Sequence, residues 1–273
     1  MIFKLTARGL ATNFKITKNH PRFDSIMRRH AVVEGCQKGI TALAGLIAQG
    51  RGEAFDYLLG EKTSSSAMES IKAAAALLLL AKKPVISVNG NSAVLVPNEN
   101  IQLSKILNAP LEINLFYRTT KREKAIKKLL LNYGAEKKFI YGVNMKSPYH
   151  IDELEHSRGI VDPRGIAVAD VVIVPLEDGD RTIALKNLGK KVIAIDLNPF
   201  SRTPKEADIS IIDNITRSFP LLIQTISEFK QNQYSTTKLE EILANYNNKK
   251  ALEDSYQIML NNLQENCKKE NLQ

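Results

Sequence analysis

Between residues 84 and 213 the chain repeats one pattern six times: a short apolar run, rich in β-branched residues, that ends in polar residues. The runs are "PVISVNGN" (84–91), "LEINLFYR" (111–118), "FIYGVN" (139–144), "DVVIVP" (170–175), "VIAIDLN" (192–198) and "DISIID" (208–213). Near-continuous apolar character suits strands buried on both faces, because a strand with one wet face would alternate. Helical spacing fills the intervals at 97–108, 120–133 and 180–189. Strands alternating with helices predict an α/β protein, a parallel sheet with helices on both faces. A helical N-terminal segment precedes the sheet. It comprises "KNHPRFDSIMRRHAVVEGCQKGI", a helix begun near a proline, then a helical stretch broken by glycines at 45, 50, 52 and 60, then "SSSAMESIKAAAALLLLAKK", which is serine-capped and very apolar. From residue 214 the pattern is helical to the end, and the polar tail "NNLQENCKKENLQ" is expected to fray. The expected organisation is one domain over 1–230 and a helical C-terminal extension over 231–273 that is not an independent domain.

At 273 residues and 44% hydrophobic content, the chain can bury a full core. No apolar run approaches the roughly 18 residues needed to span a bilayer, and the first 23 residues alternate apolar with basic side chains instead of forming a signal-peptide core. A cytoplasmic protein with no membrane partner is expected. Two distant cysteines and four histidines supply neither a disulfide framework nor a zinc pattern. The net charge of +9 is uneven: residues 1–30 hold seven Lys or Arg against one Asp, and residues 118–146 hold nine against two Glu. Such patches imply anionic ligands. With no Trp, 6% aromatic residues and no RNA-binding motif, nucleic acid is not the expected anion.

If the strands are parallel, their polar ends share one edge of the sheet, where ligands of open α/β sheets bind. Those ends hold Asn89 and Asn91, then Tyr117, Arg118 and Thr119, then "EDGDRT" (Glu177, Asp178, Gly179, Asp180, Arg181, Thr182), then Asp196, Leu197 and Asn198. "EDGDRT" opens a helix, whose amino terminus favours anions. "QGRGEAF" has Gly50 and Gly52 at dinucleotide-binding spacing, but Phe55 stands at the third glycine position and no strand precedes it, so that reading fails. There is no P-loop lysine motif, and spacing assigns no Ser-His-Asp or Cys-His set. The residues describe a site that binds and positions anions with little covalent machinery of its own. An acid–amine ligase working through an acyl phosphate, a phosphosugar-binding enzyme and a non-catalytic nucleotide-binding module all fit that description.

The blocks "HPR", "GLIAQGRGEAFDYLLGE", "PVISVNGN", "LEINLFYRT", "ADVVIVPLEDGDRT", "IDLNPFSRT" and "IIDNITR", in order over residues 19 to 220, closely resemble the archaeal phosphopantothenate synthetase family. These are the 4-phosphopantoate–β-alanine ligases of coenzyme A biosynthesis. The resemblance implies a homodimeric, Rossmann-like enzyme that joins 4-phosphopantoate to β-alanine and splits ATP to AMP and diphosphate through an acyl-adenylate. Where the family reads "GLIAHGRGEAFDYL", Gln49 replaces the histidine, so no imidazole acts there. Two polyanions meeting in a site of low dielectric need cations. Arg29, Arg51, Arg181, Arg118 and Arg158 are the candidates, with a magnesium ion bridging phosphates. In this assignment Gly179 lets the backbone approach the nucleotide phosphates, Arg181 and Thr182 bind them, and Asp178 and Asp180 hold magnesium or ribose hydroxyls. Glu177 belongs to the same turn, Asp196, Leu197 and Asn198 recognise adenosine, and Asn89 and Asn91 serve 4-phosphopantoate or the β-alanine amine.

Overall fold

The computed structural model describes residues 16–176 and 178–270. Three helices come first: α1 (Phe23–Gln37), α2 (Leu43–Leu59) and α3 (Ser65–Leu80). The alternating region follows as β1 (Pro84–Val88), α4 (Gly90–Leu95), α5 (Pro97–Leu107), β2 (Leu111–Ile113), α6 (Thr120–Asn132) and β3 (Ile140–Tyr141). A two-stranded hairpin, β4 (Tyr149–His150) with β5 (Ile160–Val161), interrupts it. Then come β6 (Val171–Pro175), α7 (Gly179–Asn187), β7 (Lys191–Ile195), α8 (Arg202–Glu206) and β8 (Ile209–Ile211). Helices α9 (Ile215–Gln231), α10 (Thr236–Ala244) and α11 (Asn248–Glu270) close the chain.

The six expected strands form one six-stranded sheet in the order β3-β2-β1-β6-β7-β8, every neighbour parallel. Numbered within that sheet the order is 3-2-1-4-5-6, the doubly wound arrangement in which strand order reverses between β1 and β6. Alternate side chains feed two cores. Ile86, Val88, Ile173, Ile193 and Ile195 pack with α3, α5 and α9, while Val85, Val172, Val174, Val192 and Ala194 pack with α7 and the hairpin region. The fully buried run Ala73–Ala76 keeps the inner face of α3 small. Caps end the competition between helix and coil at the amino termini: Ser64 accepts from Ala67 N–H, Thr119 from Arg122, Asn214 from Thr216 and Ser235 from Lys238.

Three expectations are corrected. The glycines of α2 do not break it. Gly45, Gly50 and Gly52 lie within it, Gly45 meeting a packing need because a Cβ there would stand 2.4 Å from Asn91 Oδ1, whereas Gly60, left-handed at φ 84°, ends the helix as expected. The hairpin has no counterpart in the sequence pattern. Its strands are two residues long and are held by side chains distant in sequence, described below. The tail does not fray at residue 261, since α11 continues to Glu270. Met259 is buried in a cluster with Leu59, Leu197 and Leu252, and Asn262 Nδ2 donates to Leu58 O at 2.8 Å. Below α1 and α2 lies a buried carboxylate, Asp56, which accepts from Asn214 Nδ2 at 2.8 Å and Arg217 Nη2 at 2.5 Å, with Arg28 at 3.5 Å. This knot ties the N-terminal helices to the start of α9. Among the described residues no helix is long and apolar enough to cross a membrane.

Candidate active site

The β1/β6 reversal opens a cleft of about 350 Å³ at the carboxyl edge of the sheet. Ala44, Gly45 and Ala48 of α2 form one wall, the segment after β2 (Leu115–Tyr117) another, and the starts of α4 and α7 the floor. A lobe of about 40 Å³ continues from it under Gln49 to Asp196, Leu197 and Asn198. Four strand ends therefore converge as the sequence suggests, although Glu177 lies outside the described residues.

Asn89 and Asn91 shape the crevice through bonds within the protein. Asn89 caps α4, its Oδ1 accepting from Ser92 N–H at 2.9 Å, and its Nδ2 donates to Pro175 O at 2.8 Å, which links the ends of β1 and β6. Asn91 Nδ2 donates to Gly45 O at 2.8 Å, fixing α2 over the floor. Directly after β6, Leu176 adopts φ +60°, a conformation unfavourable for a side chain of its kind. This strained residue lines the cleft and its lobe.

The acidic turn is largely self-satisfied. Asp178 pairs with Arg158 through Arg158 Nη1 and with Arg181 Nη1 at 3.6 Å. Arg181 does not reach into the cleft: its side chain is 1% exposed, Nη2 donates to Ser87 Oγ at 2.8 Å, and burial pulls its pKa down to about 10 against the pull of Asp178. Thr182 is buried, its hydroxyl donating to Asp178 O at 2.9 Å. Gly179 lines the cleft and also makes room for α8, since a Cβ would stand 2.6 Å from Arg202 Cβ, and its φ is not positive. Asp180 points outward and pairs with Arg202 Nη1 at 2.8 Å, the two side chains being 56% and 68% exposed. One carboxylate is held by two guanidinium groups, and the other faces solvent with its own partner. Among the described residues no group of three or more His, Cys, Asp or Glu is placed to hold a metal ion.

Arg118 is likewise bonded within the protein. It donates to Glu123 Oε1 at 2.6 Å, Ile160 O at 2.6 Å and Gly142 O at 2.7 Å, bracing β5 and β3 to the start of α6. Two more groups brace the same segment. Glu112, buried in β2, accepts from the N–H groups of Asp162 and Ile166 at 2.9 and 2.6 Å, and Asn114 Nδ2 donates to Arg158 O and Ile160 O. Burial pushes the Glu112 carboxyl up to about 7 despite those backbone bonds. The braced segment carries Arg158 into the cleft wall. Arg29 lies on α1 and forms a two-pronged pair with Glu53 at 2.7 and 2.9 Å. Burial would raise Glu53, but the bonds from Arg29, Ser25 and Tyr57 prevail and hold it at about 2. Arg51 lines both cleft and lobe. Asp196 accepts from Asn198 N–H at 3.0 Å and Ser201 Oγ at 2.9 Å, so the "DLN" turn is preset, with Leu197 buried beside Gly52.

The profile of the phosphopantothenate/pantothenate synthetase family matches residues 66–262, which is most of the chain. The chain belongs to this family. It is 54% identical over 240 residues to the 4-phosphopantoate–β-alanine ligase of Thermococcus onnurineus, covering 88% of this chain and 90% of that protein. It is 46% identical to the protein of the same name from Methanosarcina mazei, covering 88% and 92%. The family match extends past residue 220, where the quoted blocks end, into α11. Within this synthetase frame the sequence reading misses Arg122 of α6, whose guanidinium stands in the cleft wall. It is hidden in a lysine-rich helix, and only its contacts with residues far away in sequence distinguish it.

Proposed function

We propose that this chain is an ATP-dependent 4-phosphopantoate–β-alanine ligase of coenzyme A biosynthesis, acting in the cytoplasm. The observation that carries the reading is a cationic cleft, walled by Arg51, Arg122 and Arg158, at the strand-order reversal of a synthetase-family fold. A carboxylate is a poor acyl donor to an amine, so its oxygen first attacks the α-phosphorus of ATP. Diphosphate leaves, and an acyl-adenylate remains. The β-alanine amine then attacks the acyl carbon, the C–O bond to AMP breaks, and the amine loses a proton. Charge develops on phosphate oxygens in the first step, where fixed cations and helix amino termini stabilise it. Adenosine lies in the cleft at the mouth of the lobe under Gln49, on the side of Leu197 and the preset "DLN" turn. The amino terminus of α7 and Arg51 face the phosphates, and the acid lies toward β2 within reach of Arg158. Magnesium enters with ATP and neutralises phosphate charge. Incubation with 4-phosphopantoate, β-alanine and ATP should yield 4′-phosphopantothenate with equal AMP and diphosphate. ADP with phosphate as products would replace the adenylate by an acyl phosphate, and no amide at all would overturn the ligase.

A homodimer belongs to the same proposal. Leu43 and Ile47, one turn apart on α2, are 74% and 73% exposed on the helix that walls the cleft. An apolar pair so open suits a partner subunit. Light scattering of the wild type and of Ile47→Glu tests this: a dimer that becomes a monomer supports it. The extension from residue 231 onward is proposed to fold with the sheet domain, because α10 and α11 supply Leu239 and Met259 to its cores.

A further inference from the structure

Arg122 is held by neutral groups only. Its Nε and Nη2 donate to Ile40 O at 3.3 and 2.8 Å, and its Nη1 donates to Tyr117 O. Among the described residues no carboxylate lies within ion-pair distance of it. Its neighbours differ: Arg158 and Arg181 share Asp178, Arg118 has Glu123, and Arg29 has Glu53. Burial lowers the Arg122 pKa, the Cys36 thiol works in the opposite sense, and the charge of Arg158 lowers it again. A half-buried guanidinium without a counter-ion is costly, and an anion arriving in the cleft would remove that cost. The placement is also rigid. A Cβ on Gly90 would stand 2.9 Å from Arg122 Nη2, so residue 90 leaves room for the guanidinium on the first turn of α4. Three carbonyl bonds leave one N–H free on each terminal nitrogen, the fork that suits a phosphate.

Position selects which phosphate. In the strand order β2-β1-β6-β7, Arg122 follows β2 and the "DLN" turn follows β7, on opposite sides of the crevice. The guanidinium lies against Gly90 at the end of β1, two strand spacings from β7, roughly 10 Å. With the nucleotide on the β6/β7 side, as in the proposed ligase, Arg122 faces the far end of the other substrate. The carboxylate of the phosphorylated acid must meet the α-phosphorus, and its phosphate is at the opposite end of the molecule. We propose, on the basis of that ligase reading, that Arg122 receives the 4-phosphate and is the residue that separates the phosphorylated acid from pantoate.

The test compares 4-phosphopantoate with pantoate in the wild type, Arg122→Gln and Arg122→Lys, by kcat/KM and by calorimetric Kd. The preference for the phosphorylated acid should fall by roughly 100-fold in Arg122→Gln, with the loss appearing as a higher KM for that acid and little change in kcat. It should fall by a smaller factor in Arg122→Lys, which keeps the charge without the fork. Inorganic phosphate should compete with 4-phosphopantoate in the wild type and not with ATP. Equal proportional losses for both acids would make Arg122 a brace only. A raised KM for ATP with the preference intact would assign it to the nucleotide. Should Arg122→Gln not fold, Arg122→Lys and the wild-type phosphate competition decide. A wild type that forms no amide refutes the ligase reading, whereas an active wild type whose preference survives in the variants refutes only this assignment.

Discussion

Two turns border the same crevice and handle charge in opposite ways. After β6, Asp178 is locked between Arg158 and Arg181, and Asp180 pairs outward with Arg202, so each of these charges has an opposite partner within the protein. After β2, Arg118 is balanced by Glu123, but Arg122 meets only carbonyls. A dense cluster of charges tends to satisfy itself, and the group available to a ligand is the one whose partners are neutral. The β6 turn therefore acts as scaffold for the crevice, presenting its helix amino terminus, and the β2 turn is the side with charge to offer.

The most severe way to break this contrast is Asp178→Asn. It leaves Arg158 and the fully buried Arg181 without their shared carboxylate, and loss of one partner from a buried ion cluster costs on the order of 3–5 kcal/mol. Denaturant unfolding should show that loss without any ligand present. Wild-type stability in this variant would mean that the β6 charges are not mutually dependent.

Next in size is the pH response of Glu112, on the β2 side. Its folded-state pKa is about 7 against 4.5 in the ordinary range. Both states are protonated well below pH 4.5. As pH rises from 4.5 toward 7 the unfolded chain loses the proton first, so this group's contribution to stability falls across that window, by about 3 kcal/mol in total. Other carboxylates such as Glu53 act in the opposite sense at lower pH, so the difference between wild type and Glu112→Gln isolates the effect. A variant whose stability follows the wild-type curve between pH 4.5 and 7 would remove Glu112 from this role.

Gly179→Ala sharpens the scaffold reading of the β6 turn. The added methyl meets Arg202 Cβ at 2.6 Å, so α8 must shift, at a cost of about 1–3 kcal/mol from overpacking. The fall in Tm should be present without ATP. Weakened ATP binding with an unmoved Tm would instead put phosphates against that glycine. The smallest effect is expected of Asp180→Asn, since an exposed pair is worth under about 1 kcal/mol. Its Tm and its magnesium dependence should both stay near wild type, and a steeper magnesium requirement would make Asp180 a metal ligand.

The sheet is legible in the sequence because each strand carries its own apolar run, and burial on both faces leaves a local mark. Strand order and the β4/β5 hairpin are not, because they depend on bonds between distant positions, such as those from Glu112 to Asp162 and Ile166. The location of the crevice follows from the polar strand ends. Which charge stays available within it does not, since Arg122 differs from its lysine neighbours through its bonds to Tyr117 O and to Ile40 O, the latter 82 positions away. "EDGDRT" suggests phosphate binding because its charges are adjacent in sequence, whereas their partners Arg158, Ser87 and Arg202 come from three other segments.

The Asp56 knot bears on how the chain is made. Its partners Asn214 and Arg217 are 158 and 161 positions downstream. At ribosomal speeds of about 5–20 residues per second, roughly 8 to 32 seconds pass between synthesis of the carboxylate and of the guanidinium that completes it. Helices α1 and α2 are thus locked only after α9 has been made. Until then the two cleft-bearing elements α2 and α4 lack the anchor that sets α2 against the sheet, which makes the catalytic crevice a late product of translation.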